Sequence, residues 1–307
     1  MKTSFSLSLA CSVLALSLTA AAGESIAEIA PRVHLLRGEF VQGRQPDGNT
    51  VLFMRPMGAI VVDTGRHEAH TRAILDFAKP RMVINTHWHL DHIGGNALIR
   101  REAPDVKIYA SPALDDALKG FLANYAKQLE EAIANTTGEE QQRYRTELAL
   151  IQSGRALAPD EVIAAPRTID GLEVHLEKDA VTAGDLWVFD KKTGTLVAGD
   201  LVTLPVPFLD TAKPLVWKEV LARLSRVKFE RLVPGHGPVL TRSQFAQYRA
   251  AFDGLLACAA SSRTNEECAS GWLEGVGKLV PESDHAFTRQ LLGYYLGLLS
   301  DRRRPAA

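Results

Sequence analysis

Thr86-His87-Trp88-His89-Leu90-Asp91-His92 is the stretch whose reading decides the fold of this chain. It follows directly on Met82-Val83-Ile84, an apolar run of the kind that forms a buried strand. Side chains of an extended segment alternate between its two faces. His87, His89 and Asp91 are therefore expected to point one way, while Trp88 and Leu90 point into packing. Ile93-Gly94-Gly95-Asn96 permits a turn, which would bring His92 to the same side. Imidazole and carboxylate groups suit zinc, and also iron or manganese. His87, His89, Asp91 and His92 together exceed what one ion takes from a single segment, so the crowding predicts two adjacent ions. Histidines scattered on a surface would not account for the HxHxDH order.

Outward from this segment the sequence alternates strands and helices. Residues 50–54 and 59–62 read as short strands joined by Arg55-Pro56-Met57-Gly58, a turn composition. Residues 67–78 have helical periodicity, which Pro80 stops. Residues 81–85 and 106–110 are further strands. From 112 to about 158 the chain is rich in Ala, Leu, Glu, Gln, Lys and Arg, which predicts two or three amphipathic helices inserted into the domain. That insertion reads equally as a packing layer or as a cap over the site. Strands return at 172–176, 186–190 and 195–198, the last two joined by the turn Lys191-Lys192-Thr193-Gly194. A helix over 217–227, a strand over 231–233 and a mostly helical stretch over about 241–300 complete the pattern. Strands and helices mixed in two successive halves imply packed sheets with helices outside.

Composition sets the limits. Hydrophobic residues are 46% and charged residues 23% of the 307, which suffices for a sizeable core. The net charge of −1 gives no pull toward nucleic acid or an anionic membrane. A small-molecule substrate is the expected partner. At the start, Lys2, an apolar run over residues 5–18 and Ala20-Ala21-Ala22 form an export signal, predicted to end at residue 22. The run is shorter than the ~20 residues of a spanning helix, which argues against a membrane anchor. The sequence therefore reads as a periplasmic or secreted protein with one domain over 23–307. Cys11 lies inside the leader, so two cysteines remain, Cys258 and Cys268. In an exported chain they are expected to pair across the polar turn at 261–265, stabilising by about 2–3 kcal/mol.

The HxHxDH segment resembles that of the metallo-β-lactamase superfamily, and further segments arrive in that family's order. Val61-Val62-Asp63-Thr64-Gly65 resembles its aspartate turn, from which Asp63 would brace the ligand loop. Ala198-Gly199-Asp200 resembles the segment of its bridging aspartate, and Pro234-Gly235-His236-Gly237 that of its final histidine. The resemblance implies a four-layer αββα sandwich with the metals at one edge of its two sheets. It also implies His87, His89, Asp91, His92, Asp200 and His236 as metal ligands, with Asp91 orienting the nucleophile as well. One position departs from the pattern. Val181-Thr182-Ala183-Gly184-Asp185 stands where the family has a histidine followed by Thr-x-Gly-Asp. Valine cannot bind metal. His175 lies roughly 20 Å away along an extended chain, and His67 and His70 are expected at a solvated helix start. The first set is thus reduced to His87, His89 and the shared Asp200, while Asp91, His92, His236 and Asp200 complete the second. One firmly held Zn2+ is expected.

The function so implied is hydrolysis of an ester, thioester or amide-like bond by a metal-activated water. Asp200 resembles the bridging residue of glyoxalase II-like hydrolases, and a looser resemblance runs to exported hydrolases encoded with quinoprotein or sulfur-oxidation systems. β-Lactam hydrolysis is a further alternative. Val181 also motivates a different reading, a degenerate member that binds a ligand or partner without turnover.

Overall fold

The computed structural model describes residues 26–38 and 44–303; the expected leader over residues 1–22, Cys11 included, lies outside them. Two sheets form the frame. The first runs β1 (Ile26–Ala30), β2 (Val33–Leu36), β3 (Thr50–Arg55), β4 (Gly58–Val62), β5 (Pro80–Ile84), β6 (Lys107–Ala110) and β7 (Glu161–Val162), in that spatial order. It is antiparallel up to β4 and parallel from β4 onward. The second contains β8 (Arg167–Ile169), β9 (Leu172–Glu177), β10 (Asp185–Asp190), β11 (Thr195–Thr203) and β12 (Arg231–His236), ordered β12-β11-β10-β9-β8. Its β11–β12 pair is parallel and the rest antiparallel.

The strand period assigns the layers. Val51 and Phe53 of β3, Ile60 and Val62 of β4, and Met82 and Ile84 of β5 share one apolar cluster with Val174, Val188, Val197 and Val233 of the second sheet. Their alternates Leu52, Val61 and Val83 pack outward on Ile74 of α1 (Glu68–Phe77). The short α2 (Leu90–Ile93) and α3 (Asn96–Glu102) follow β5, and Ile99 of α3 joins that outer cluster.

Between β6 and β7 stands the expected insertion, as α4 (Ala113–Lys119), α5 (Phe121–Asn135) and α6 (Gly138–Gln152). Leu114, Leu122, Leu129 and Ile151 from these helices pack on Trp88, Leu90 and Ile93. The insertion thus lies against the apolar back of the histidine segment. Outside the second sheet pack α7 (Pro214–Leu224), α8 (Arg242–Ala259), α9 (Asn265–Val276) and α10 (His285–Arg303), with Trp217, Phe252, Trp272 and Leu292 in one core. The layers are therefore αββα. Cys258, near the end of α8, is bonded to Cys268 in α9, with Cα atoms 5.5 Å apart. Among the described residues, no helix is long and apolar enough to cross a membrane.

Several expectations need correction. The strands β1, β2, β7 and β8 were not foreseen from the sequence; they are 5, 4, 2 and 3 residues long. The helix expected over 217–227 begins instead at Pro214, where proline's missing N–H costs nothing in the first turn, and ends at Leu224. The last strand runs on to His236, and β11 extends to Thr203. The extended run of the histidine segment stops at His89, because Leu90–Ile93 forms a helical turn. His70 is not solvated either, and His67 is only partly so, its side chain being 30% exposed. His70 is fully buried with Nε2 2.9 Å from the Thr50 hydroxyl, and His67 Nδ1 lies 2.8 Å from Asp47 Oδ2.

Candidate metal centre

The turn after β5, the middle of β11 and the end of β12 supply the site. His87 and His89 leave the end of β5, and Asp91 and His92 sit on α2. Asp200 lies within β11 and His236 ends β12. Two triples of donor atoms result, His87/His89/Asp200 and Asp91/His92/His236, each with its atoms within 4.8 Å of one another. Asp200 faces both. Its Oδ2 is 3.3 Å from His87 Nε2 and 3.7 Å from His89 Nδ1. Its Oδ1 is 3.1 Å from His92 Nε2 and 3.6 Å from His236 Nε2. Asp91 Oδ2 completes the second group, 3.0 Å from His236 Nε2 and 3.6 Å from His92 Nε2.

Backbone packing allows this convergence. A Cβ on Gly235 would stand 1.9 Å from Asp200 Oδ1, and one on Gly48 would stand 2.5 Å from the His92 ring. Both positions need glycine for close approach. Asp63, at a left-handed φ of 63°, holds the ligand segment from behind. Its carboxylate accepts from the Thr86 N–H at 2.7 Å and the Thr86 hydroxyl at 2.8 Å, and lies 2.8 Å from His92 Nδ1. That contact leaves His92 Nε2 to face Asp200.

Electrostatics follow from burial among like and opposite charges. Burial, together with neighbouring His92, lowers the His87 pKa to about 4. Burial opposes charge on His92 too, but the carboxylates of Asp200, Asp63 and Asp91 prevail and hold its pKa well above the ordinary value. Burial would raise the Asp200 pKa, yet the surrounding imidazoles, His92 first, keep it well below the usual carboxylate range. His87 Nε2 and both Asp200 oxygens are buried without a hydrogen-bond partner of good geometry among the described residues. Buried donors and acceptors in this state are costly unless something bridges them. A cation between converging imidazole and carboxylate atoms does so, and the donor set suits zinc. The residues present fit such an ion.

Val181 is fully buried in the apolar core. The turn around it survives in its backbone. Asp185 accepts from the Val181 N–H at 2.9 Å, from the Thr182 N–H at 3.0 and 3.1 Å, and from the Thr182 hydroxyl at 2.8 Å. The Val181 carbonyl accepts from the Thr211 hydroxyl at 2.8 Å, and Thr211 Oγ1 lies 3.3 Å from His89 Nε2. Its hydroxyl proton being committed to the carbonyl, Thr211 accepts from the His89 Nε2–H, which turns the Nδ1 lone pair toward Asp200. His175 takes no part, being stacked on Trp187 at 3.9 Å.

Sequence reasoning also missed Arg66, whose guanidinium stands 3.7 Å from Asp91 Oδ1, and the aromatic surroundings. Trp88 packs edge-on to His89 at 4.6 Å and meets Phe121 at 4.8 Å. Phe208 lies 5.2 Å from His236 and 5.9 Å from Tyr295. Arg66, Phe121 and Phe208 belong to no local pattern, and Trp88, inside the histidine segment, reads there only as a packing residue.

A family model described as the metallo-beta-lactamase superfamily matches residues 44–236, more than half of the chain. The chain belongs to that superfamily. Its fold is shared with solved structures of low sequence identity. TMB-1 is 18% identical, with a TM-score of 0.57, over 75% of this chain and 97% of that one. A metallo-beta-lactamase from Pontibacter korlensis is 19% identical, with a TM-score of 0.53, over 75% and 98%. FIM-1 from Pseudomonas aeruginosa, solved in a mono-zinc form, is 15% identical, with a TM-score of 0.54, over 72% and 91%.

Proposed function

We propose that this protein is an exported zinc-dependent hydrolase acting on an ester, thioester or amide-like bond of a small molecule. The observation that carries the reading is Asp200 presenting one carboxylate oxygen to His87 and His89 and the other to His92 and His236. When bound, zinc supplies a hydroxide at neutral pH and polarises the substrate oxygen. Asp91 would orient the attacking water through Oδ2, with Asp63 and Thr211 setting the tautomers of His92 and His89 through the contacts they make. The aromatic surroundings, Trp88 beside His89 and Phe208 beside His236, favour a substrate with apolar groups next to the scissile bond.

Two experiments test this. Metal analysis of purified protein should find about one firmly held zinc, and a panel of thioesters, esters, lactones and β-lactams should reveal turnover. Asp91→Ala and His236→Ala should lose that ion, while His87→Ala should retain more of it. A protein with no tightly held metal and no turnover would instead favour the second reading, a ligand-binding member without activity, which Val181 motivates. Export is tested separately. The intact mass of periplasmic protein should begin near Gly23 and include the Cys258–Cys268 bond; a full-length chain kept in the cytoplasm would overturn it.

A further inference from the structure

The inserted helices reach the proposed metal centre through one buried ionic chain. Glu147 on α6 accepts a hydrogen bond from Arg66 Nη1. Tyr125 on α5 donates to the same Glu147 oxygen at 3.3 Å. Arg66 Nη2 in turn lies 3.7 Å from Asp91 Oδ1, an ion-pair distance. The three charged side chains are 13%, 11% and 7% exposed for Glu147, Arg66 and Asp91, so water screens them little. Asp91 is thereby divided. Oδ1 faces the guanidinium, and Oδ2 faces His236 and His92.

We infer that Glu147 is a positioning residue for the second donor set, acting through Arg66, and that the insertion is mechanically coupled to metal occupancy there. A buried guanidinium beside a metal-binding carboxylate competes with the ion for that carboxylate and repels the ion as well. Glu147 offsets both effects by taking half of the fork and neutralising the charge. It also fixes the guanidinium plane, so Asp91 keeps the rotamer that aims Oδ2 inward. The position of the helices then matters to the site although α5 and α6 contribute no donor to it. The inference rests on the proposed metal reading.

The test uses the full mature chain, zinc competition against a chromophoric chelator, and hydrogen exchange of α5 and α6 with and without zinc. Glu147→Gln keeps the shape and removes the charge. It should weaken the tightest zinc by about 10- to 100-fold, the range for residues that support a ligand from behind. Glu147→Asp should recover part of that loss. In an Arg66→Met background the same Glu147→Gln change should alter affinity by less than about twofold, because its route to the site is gone. Zinc should slow exchange in α5 and α6 of wild type, and less so in Glu147→Gln, since coupling between two sites is reciprocal. Glu147→Gln with wild-type zinc affinity overturns the inference and leaves the metal reading standing. So does an equal loss in both backgrounds, which would mark a structural effect independent of Arg66. A wild type that binds no zinc removes both readings.

Discussion

His70 shows how far a single side chain can depart from its expected setting. Its position near the start of α1 suggests a solvated imidazole, but the ring is fully buried behind Gly65, where an added Cβ would come within 2.4 Å of it. Burial lowers its pKa from 6.5 to about 4, although nearby Asp47 pulls the other way. The folded state therefore holds His70 neutral, while the unfolded chain takes up a proton below 6.5. The stability it contributes is complete above pH 6.5 and falls away as the pH drops toward 4, by up to about 3 kcal/mol. His70→Gln should flatten the wild-type loss across that window, as read from denaturant midpoints between pH 4 and 7. An unchanged slope would assign the acid sensitivity to other groups. Arg66 and Thr211 were hidden from the sequence for a related reason. Their partners Glu147 and His89 lie 81 and 122 positions away, and no local spacing encodes such contacts.

At the scale of elements, legibility followed length and alternation. The strands β3, β4 and β5 were readable because Val51, Phe53, Ile60 and Val62 alternate with outward apolar residues. By contrast β1 and β2 are short, and the polar Glu28 and His34 interrupt them. The insertion was readable as helix but not in its role, since helix composition does not say which face meets Trp88 and Leu90. The Val181–Asp185 turn is the element with the most to test. Its backbone is anchored by Asp185 and Thr211, whereas the Val181 side chain packs in the apolar core. Val181→His should therefore lower the melting temperature of metal-free protein, since overpacking costs about 1–3 kcal/mol. Zinc should then raise it by more than in wild type, because the new imidazole joins His87, His89 and Asp200. Equal zinc-induced shifts in both proteins would mean that position 181 turns away from the ions.

At the scale of the molecule, the donor atoms straddle the two sheets. His87 to His92 follow β5 in one, and Asp200 and His236 belong to β11 and β12 in the other. An ion held between them ties the sheets at one edge. Ligands that bind only the folded state stabilise it by about 4 kcal/mol at a thousandfold excess over Kd. Chelation should thus speed cleavage by a broad-specificity protease under native conditions, and zinc should restore resistance. Cleavage rates indifferent to zinc would show that the sheets need no such tie. The same arrangement governs the order in which the centre is made. His236 is the last donor in the chain, so no complete set exists until both sheets have docked. A chain that crosses a membrane unfolded would acquire its ion only on the far side. The metal it carries would then be chosen by what that compartment offers as folding ends, and if residues 1–22 act as the proposed leader, one gene expressed with or without them would yield differently loaded proteins.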